Sequence, residues 1–251
     1  MKLYFAFTAF ALLFSAASAA EYFPPAGQWQ QKPAAELKVD AALLQQAVDY
    51  AIQSENKADP DQAINQATTF GAKEPYDQII GPMKTRAPAN GIIIYKGAVI
   101  AQWGDTNAVD MTHSITKTFL TTVTGLALQQ GLIHNLQDKV DSYMPHGVDL
   151  YQGDHNSQIR WDHLLRQTSD WQGTLWGKPD WADRPEGKTP ADWPKRPLRT
   201  PGSHYKYNDV RVNLLALSTL YVWRKPLPQV LNEQIMTCLL YTSDAADDSL
   251  R

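Results

Sequence analysis

The chain has 251 residues, 43% of them hydrophobic and 20% charged, and a formal net charge of −3 at pH 7. That slight acidity argues against nucleic-acid or anionic-membrane partners, neither of which would be drawn electrostatically. A single cysteine, Cys238, excludes an internal disulfide framework, and six histidines without His-Glu-x-x-His or paired His/Cys spacing give a protein-built zinc site little support.

The chain opens with Lys2, an apolar stretch from Leu3 to Phe14, and the small residues Ser15-Ala16-Ala17-Ser18-Ala19-Ala20. This is the pattern of a secretory signal peptide over residues 1–19, with Ala17 and Ala19 suited to cleavage before Ala20 or Glu21. A periplasmic or secreted chain is expected, without stable membrane insertion once the signal is removed, because no later segment approaches the ~20 apolar residues a span requires. No cysteine near the cleavage point offers a lipid anchor.

Residues 24–33 read as a loop, and Asp40 as the N-cap of a helix carrying Leu43, Leu44, Ala47, Val48, Ala51 and Ile52 on one side. Residues 58–90 are polar and without period. Two β-branched runs around Lys96-Gly97, within residues 91–104, predict a β-hairpin. A helix follows from Ser114 to about Gln130, stopped by Gly131. Beyond it come a short segment ending at Pro145, a short helix over residues 161–167, and a long irregular stretch over residues 169–203. Prolines at 179, 185, 190, 194, 197 and 201 break any period there, while Trp171, Trp176, Trp181 and Trp193 supply large apolar faces. Long loops of this kind tend to be functional, and tryptophans also serve simply to pin a loop down. Trp171 and Trp176 are its candidates for substrate contact. A mostly buried helix carrying Val210, Leu214, Leu215, Leu217 and Trp223 follows, and Pro226 opens a last amphipathic piece. No repeat and no inter-domain linker interrupts residues 20–236.

The chemistry concentrates at Ser114-Ile115-Thr116-Lys117. This spacing puts a hydroxyl and an amine one helical turn apart on one face. A serine hydroxyl becomes a nucleophile only with a base in hydrogen-bond reach, and a lysine serves as that base if burial disfavours its charged form. Two further Ser-x-x-Lys matches exist. Ser54 and Lys57 end a helix where the amine is solvated, and Ser203 and Lys206 sit in a turn after Pro201-Gly202. Only Ser114 leads into a strongly apolar helix, with Phe119, Leu120, Val123, Leu126, Ala127 and Leu128. The stripe Ser114, Lys117, Thr118, Thr121 and Gly125 is small or polar and suits the border of a cavity. No serine has glycine at both flanking positions of a Gly-x-Ser-x-Gly elbow, so a triad on an α/β-hydrolase scaffold is disfavoured.

Taken together the motifs resemble the serine β-lactamase-like hydrolases, in the branch of class C β-lactamases, esterases and D-aminopeptidases. The resemblance spans residues 88–236. It rests on Gly91-Ile92-Ile93-Ile94-Tyr95-Lys96-Gly97, on the block His113 to Phe119, on Gly125-Leu126-Ala127 with Gly131-Leu132, and on Ile159 to Ser169. Pro201-Gly202-Ser203 then precedes Tyr207-Asn208-Asp209, where the family carries Tyr-x-Asn. The resemblance implies an α/β (α+β) fold of the β-lactamase/transpeptidase type, an antiparallel sheet flanked by helices plus an all-α lobe. It implies Ser114 as the acylated nucleophile, Lys117 as neighbouring base and Tyr207 as second proton-transfer group, with no metal and no cofactor. The implied partner is a small ester or amide first, a β-lactam or D-amino-acid peptide second. A binding protein for peptidoglycan-like ligands, with the fold but without turnover, is the alternative of another class.

Two departures from the family pattern qualify these expectations. Asp209 replaces an amide that can donate by a carboxylate that only accepts when ionised, which weakens the β-lactam reading. It is a candidate substrate contact, and equally a helix N-cap before Val210. The family's third motif, Lys/His-x-Gly on a strand, would lie beyond residue 251, and residues 237–251 read as a non-native tail. The fold is therefore expected to be incomplete at the C-terminus, leaving a strand edge unpaired, an apolar face uncovered and the chain unstable and inactive as it stands.

Overall fold

The computed structural model describes residues 28–237 and 239, so the signal segment, Cys238 and nearly all of the 237–251 tail lie outside the described residues. The first helix, α1 (Ala41–Gln53), begins as its sequence requires. The Asp40 carboxylate accepts from the N–H groups of Ala42 and Leu43, which satisfies donors that a helix start leaves free. Asp61 caps α2 (Gln62–Thr68) in the same way. Helix α1 buries only Val48 and leaves Leu43, Tyr50 and Ile52 exposed, a thinner contact than its apolar pattern suggests.

The hairpin consists of β1 (Gly91–Tyr95) and β2 (Ala98–Trp103), antiparallel with a bulge at Ile93/Ile94. Its two-residue turn puts Lys96 at φ 49° and Gly97 at φ 76°. Both are left-handed, as a tight hairpin matching the strand twist demands, and glycine makes the second of them cheap. On its outer side β2 takes a short parallel bridge from Gln31 to Val99. Among the described residues β1 has no second partner, and Ile92 and Ile94 are exposed.

The helical lobe holds the core. Helix α3 (Thr116–Gln129) is followed by α4 (Gly153–Asn156), α5 (Trp161–Leu165), a minimal hairpin of β3 (Thr174–Leu175) and β4 (Lys178–Pro179), then α6 (Asp209–Trp223) and α7 (Leu227–Leu231). Helix α6 packs against α3, α5 and α7. Trp161, Tyr151, Ile133, Ile159 and Leu214 are fully buried between them. Gly131, at φ 73°, ends α3 as expected.

Polar contacts fix how α3 and α6 lie together. Thr124 Oγ1 meets Thr219 Oγ1 at 3.0 Å inside the lobe, and the Trp223 indole N–H donates to Val123 O at 3.1 Å. A third contact, between the Ser114 and Tyr207 oxygens, lies about as far upstream of the Thr124–Thr219 contact in both segments. The helices therefore run in the same direction with their N-termini together. Whatever chemistry the chain carries at Ser114 faces the start of α6.

The long stretch over residues 169–203 is held by charge more than by its tryptophans. Arg196 donates to both oxygens of Asp170 at 2.9 Å and to Asp180 at 2.8 Å, and Arg211 of α6 pairs with the same two carboxylates at 2.8 and 3.2 Å. All four side chains are at most 8% exposed. Two cations against two anions is a neutral set, and this is what makes such burial tolerable. The Asp170 carboxyl is held below the usual carboxylate range. Burial pushes it up, but the Arg199 backbone N–H, Arg211 and Arg196 together outweigh that.

Candidate active site

His113–Ile115 form one 3-10 turn that feeds straight into α3 and carries Ser114. His113 adopts φ 45°, a left-handed conformation costly for a residue with a side chain, so its surroundings must hold it there. Its ring nitrogen Nε2 lies 3.2 Å from Oε1 of Gln62, a side chain buried in α2. That contact ties the turn before Ser114 to a different part of the chain. Sequence reading placed His113 in the motif block but missed its pairing with Gln62, because 51 positions separate the two and Gln62 belongs to no motif.

Ser114 Oγ lies 2.7 Å from Tyr207 Oη and 3.2 Å from Lys117 Nζ, which donates to it. The three groups singled out from sequence thus come together within hydrogen-bond reach. The other Ser-x-x-Lys pairs do not behave this way. Ser203 donates to Thr200 O at 2.6 Å, and Lys206 donates to Arg184 O at 2.7 Å and pairs with Glu186 at 3.1 Å. Ser54 is the exposed C-cap of α1.

The state of Lys117 departs from expectation. Burial was expected to free its amine, and burial does pull its pKa down. Hydrogen bonds to Asp209 and Tyr207, with their Coulombic attraction, outweigh that and hold Lys117 above the usual lysine value. The decisive partner is Asp209, whose Oδ1 lies 2.7 Å from Lys117 Nζ. An ion pair with Asp209, on a side chain still 25% exposed, favours the charged form of the amine. Lys117 stands beside Ser114 as a hydrogen-bond donor.

Asp209 is not the cap of α6. That position belongs to Asn208, whose side chain accepts from Arg211 N and donates to Asp180 O, fastening the start of α6 to the loop. Asp209 is the first helical residue. Its side chain reaches Lys117 on one oxygen and Arg184 Nη1 at 3.3 Å on the other, while its backbone N–H donates to Asp183. Asp183 is buried and lies beside a second carboxylate. Burial first, and then the Asp209 charge, push its carboxyl above the usual range against the pull of the Asp209 N–H and Arg184. The Arg184 guanidinium also lies 4.4 Å from the Tyr207 ring centroid, and Lys117 Nζ 4.9 Å from it. Arg184 was another residue invisible to motif reading.

Of the two tryptophans proposed as substrate contacts, Trp171 belongs to the core. It is 2% exposed and its indole N–H donates to Leu150 O at 2.6 Å, so it is a packing residue. Trp176 is 71% exposed at the tip of the β3–β4 turn, and no contact among the described residues joins it to Ser114, Lys117 or Tyr207.

The family model described as Beta-lactamase matches residues 87–244, which takes in the hairpin, Ser114, Lys117 and Tyr207. Among solved structures the chain is similar to a beta-lactamase/D-alanine carboxypeptidase from Yersinia pestis, at 23% identity and TM-score 0.38, over 56% of this chain and 44% of that one. It is similar to a D-stereospecific amidohydrolase from Streptomyces sp. at 22% identity and TM-score 0.41, over 55% and 46%. A third is EstCE1, a hydrolase with promiscuous acyltransferase activity, at 19% identity and TM-score 0.36, over 59% and 47%. The chain thus spans less than half the length of each of these. No curated protein sequence matches it.

Proposed function

Because the chain belongs to the beta-lactamase family, we propose that it works as an exported serine hydrolase that opens carboxylic esters or small amides through an acyl-Ser114 intermediate. The observation that carries this reading is the placement of Ser114 Oγ between Tyr207 Oη and Lys117 Nζ. With Lys117 paired to Asp209, the proposed step assigns the serine proton to Tyr207 Oη, 2.7 Å from Ser114 Oγ, which must act as a phenolate there. Ser114 Oγ attacks the carbonyl carbon, its proton passes to Tyr207 Oη, and Tyr207 returns that proton to the departing alcohol or amine. Water then attacks the acyl carbon and loses a proton to Tyr207, which passes it to Ser114 Oγ as the acyl–Oγ bond breaks and the carboxylic acid leaves. Lys117 stabilises negative charge on either oxygen. The N-terminus of α3, where Ser114 sits, favours the oxyanion that forms at the carbonyl.

Asp209 supports esters over β-lactams as substrates. Both its oxygens are directed to cations, and as a carboxylate it has no hydrogen to donate to a lactam carbonyl. Labelling with a fluorophosphonate tests the proposal. Labelling lost in Ser114→Ala and kept in Ser203→Ala is the expected outcome. A folded chain that takes no label, or that labels equally after Ser114→Ala, refutes it.

A further inference from the structure

Arg184, in the stretch between β4 and α6, adopts φ 50°. A left-handed backbone at a residue with a long side chain persists only where its surroundings hold it. Its N–H donates to Glu74 Oε1 at 3.1 Å, and its carbonyl accepts from Lys206 Nζ at 2.7 Å. Its Nη1 donates to Asp183 Oδ1 at 2.7 Å and to Asp209 Oδ2 at 3.3 Å. Lys206 is the residue before Tyr207 and Asp209 the second after it, so both flanks of Tyr207 reach back to Arg184. Lys206, idle as a Ser-x-x-Lys match, gains a task here as the brace on the Arg184 carbonyl.

The main chain around Tyr207 is pinned from another side. The N–H groups of Lys206 and Asn208 donate to Gln167 O and Oε1 at 3.0 and 2.8 Å. These bonds fix the backbone and leave the ring to turn about its side-chain torsions. Tyr207 is only half-buried and lies outside the hydrophobic core of the helical lobe, so apolar packing does not set the ring. Beside it are two cations, the Arg184 guanidinium at 4.4 Å from the ring centroid and Lys117 Nζ at 4.9 Å. At such distances a cation is attracted to an aromatic ring.

Resting on the hydrolase reading above, we propose that Arg184 is a positioning residue for the reaction, its guanidinium holding the Tyr207 ring in the orientation that keeps Oη within reach of Ser114 Oγ. Its effect on Ser114 passes through the phenol. Its charge also attracts the negative charge that Tyr207 carries as a phenolate in the proposed step. The carboxylates of Asp183 and Asp209 and the brace from Lys206 keep the guanidinium itself in place.

The rate at which a fluorophosphonate labels Ser114 reads this without turnover. A misplacement of about 1 Å can cost a reaction about a hundredfold, so Arg184→Ala should slow labelling about tenfold or more and leave the half-saturating label concentration unchanged. Arg184→Lys keeps a charge for the two carboxylates but has no planar group to set beside the ring, and should fall between Arg184→Ala and the native chain. Guanidinium chloride at millimolar concentration should restore much of the rate lost in Arg184→Ala. A merely structural role gives the same loss whatever stands at position 207, whereas an effect through the phenol should shrink to less than about twofold in a Tyr207→Phe background. Circular dichroism checks that each variant is folded, and the 33% exposure of the Arg184 side chain keeps the change out of the core. Native labelling speed in Arg184→Ala, or an equal loss in the Tyr207→Phe background, overturns the inference and leaves the hydrolase reading standing. A folded native chain without Ser114-dependent labelling overturns both.

Discussion

Replacing Asp209 by asparagine tests the central correction, that Lys117 works as a cation. In the native site its ammonium lies 2.7 Å from Asp209 Oδ1, with side chains 25% and 46% exposed. At that separation bulk water alone would leave about 1.5 kcal/mol of Coulomb attraction, and a less polar boundary would leave more. Solvent screening and side-chain entropy cut the worth of exposed pairs to about 1 kcal/mol or less. What remains for this half-exposed pair is about 1 kcal/mol. Asp209→Asn removes it while burial and the Arg184 charge stay, so the Lys117 pKa falls. If the cation is required, kcat/KM declines at alkaline pH as Lys117 loses its proton, and the variant moves that decline to lower pH. If a neutral amine is the base, activity instead climbs with pH, and the variant shifts the climb down and speeds turnover near neutrality. A pH-stat assay on a simple alkyl ester between pH 6 and 11 separates the two outcomes. The absence of that alkaline decline, or a decline that Asp209→Asn leaves unmoved, would refute the ion-pair argument.

Two predictions concern the buried ionic set. Arg211→Met leaves Asp170 and Asp180 short of one cation in a site at most 3% exposed on those partners, at a cost of about 3–5 kcal/mol. Thermal unfolding should then fall by on the order of 10 °C, read by circular dichroism, and an unchanged midpoint would contradict the assignment. Asp170 has its carboxyl depressed in the folded state, so its contribution is complete above the unfolded value near ~3.9 and is lost as pH falls through the folded one. Urea midpoints should therefore drop below about pH 4 in the native chain, and Asp170→Asn should flatten that dependence.

Local rules made much of the fold legible. The Asp40 cap, the Lys96-Gly97 turn and the Gly131 stop each depend on a residue and its immediate neighbours, and all three stand where the sequence put them. The Ser114, Lys117 and Tyr207 trio was found because it combines local spacing with a recognised order of motifs. What escaped were pairings across long loops. Arg196, Arg211, Asp170 and Asp180 carry no periodic signal, and charges in a proline-rich stretch read as solvated. Trp171 erred for a related reason. Composition showed an apolar side chain in a loop, but only the burial of the carboxylates beside it draws that part of the loop into the core. The Lys117 misreading had a different origin, since desolvation was weighed without the carboxylate that Asp209 brings from 92 positions away.

The placement of Asp209 also links stability to chemistry. Asn208 and Asp209 begin α6, and the first fastens that helix to the loop while the second fixes the charge on Lys117. Tyr207 precedes them by one and two residues, so its hydroxyl is aimed by the same anchor. Arg211, one turn along, joins the anchor to the buried carboxylates. Loosening the ionic set should therefore do more than lower the melting temperature. It should let the start of α6 drift relative to α3, stretching the 2.7 Å contact between Tyr207 and Ser114 on which the proposed proton transfer depends. Because α3 is held to α6 separately through Thr124, Thr219 and Trp223, the far ends of the two helices keep their register. Only the end that carries the nucleophile is free to open.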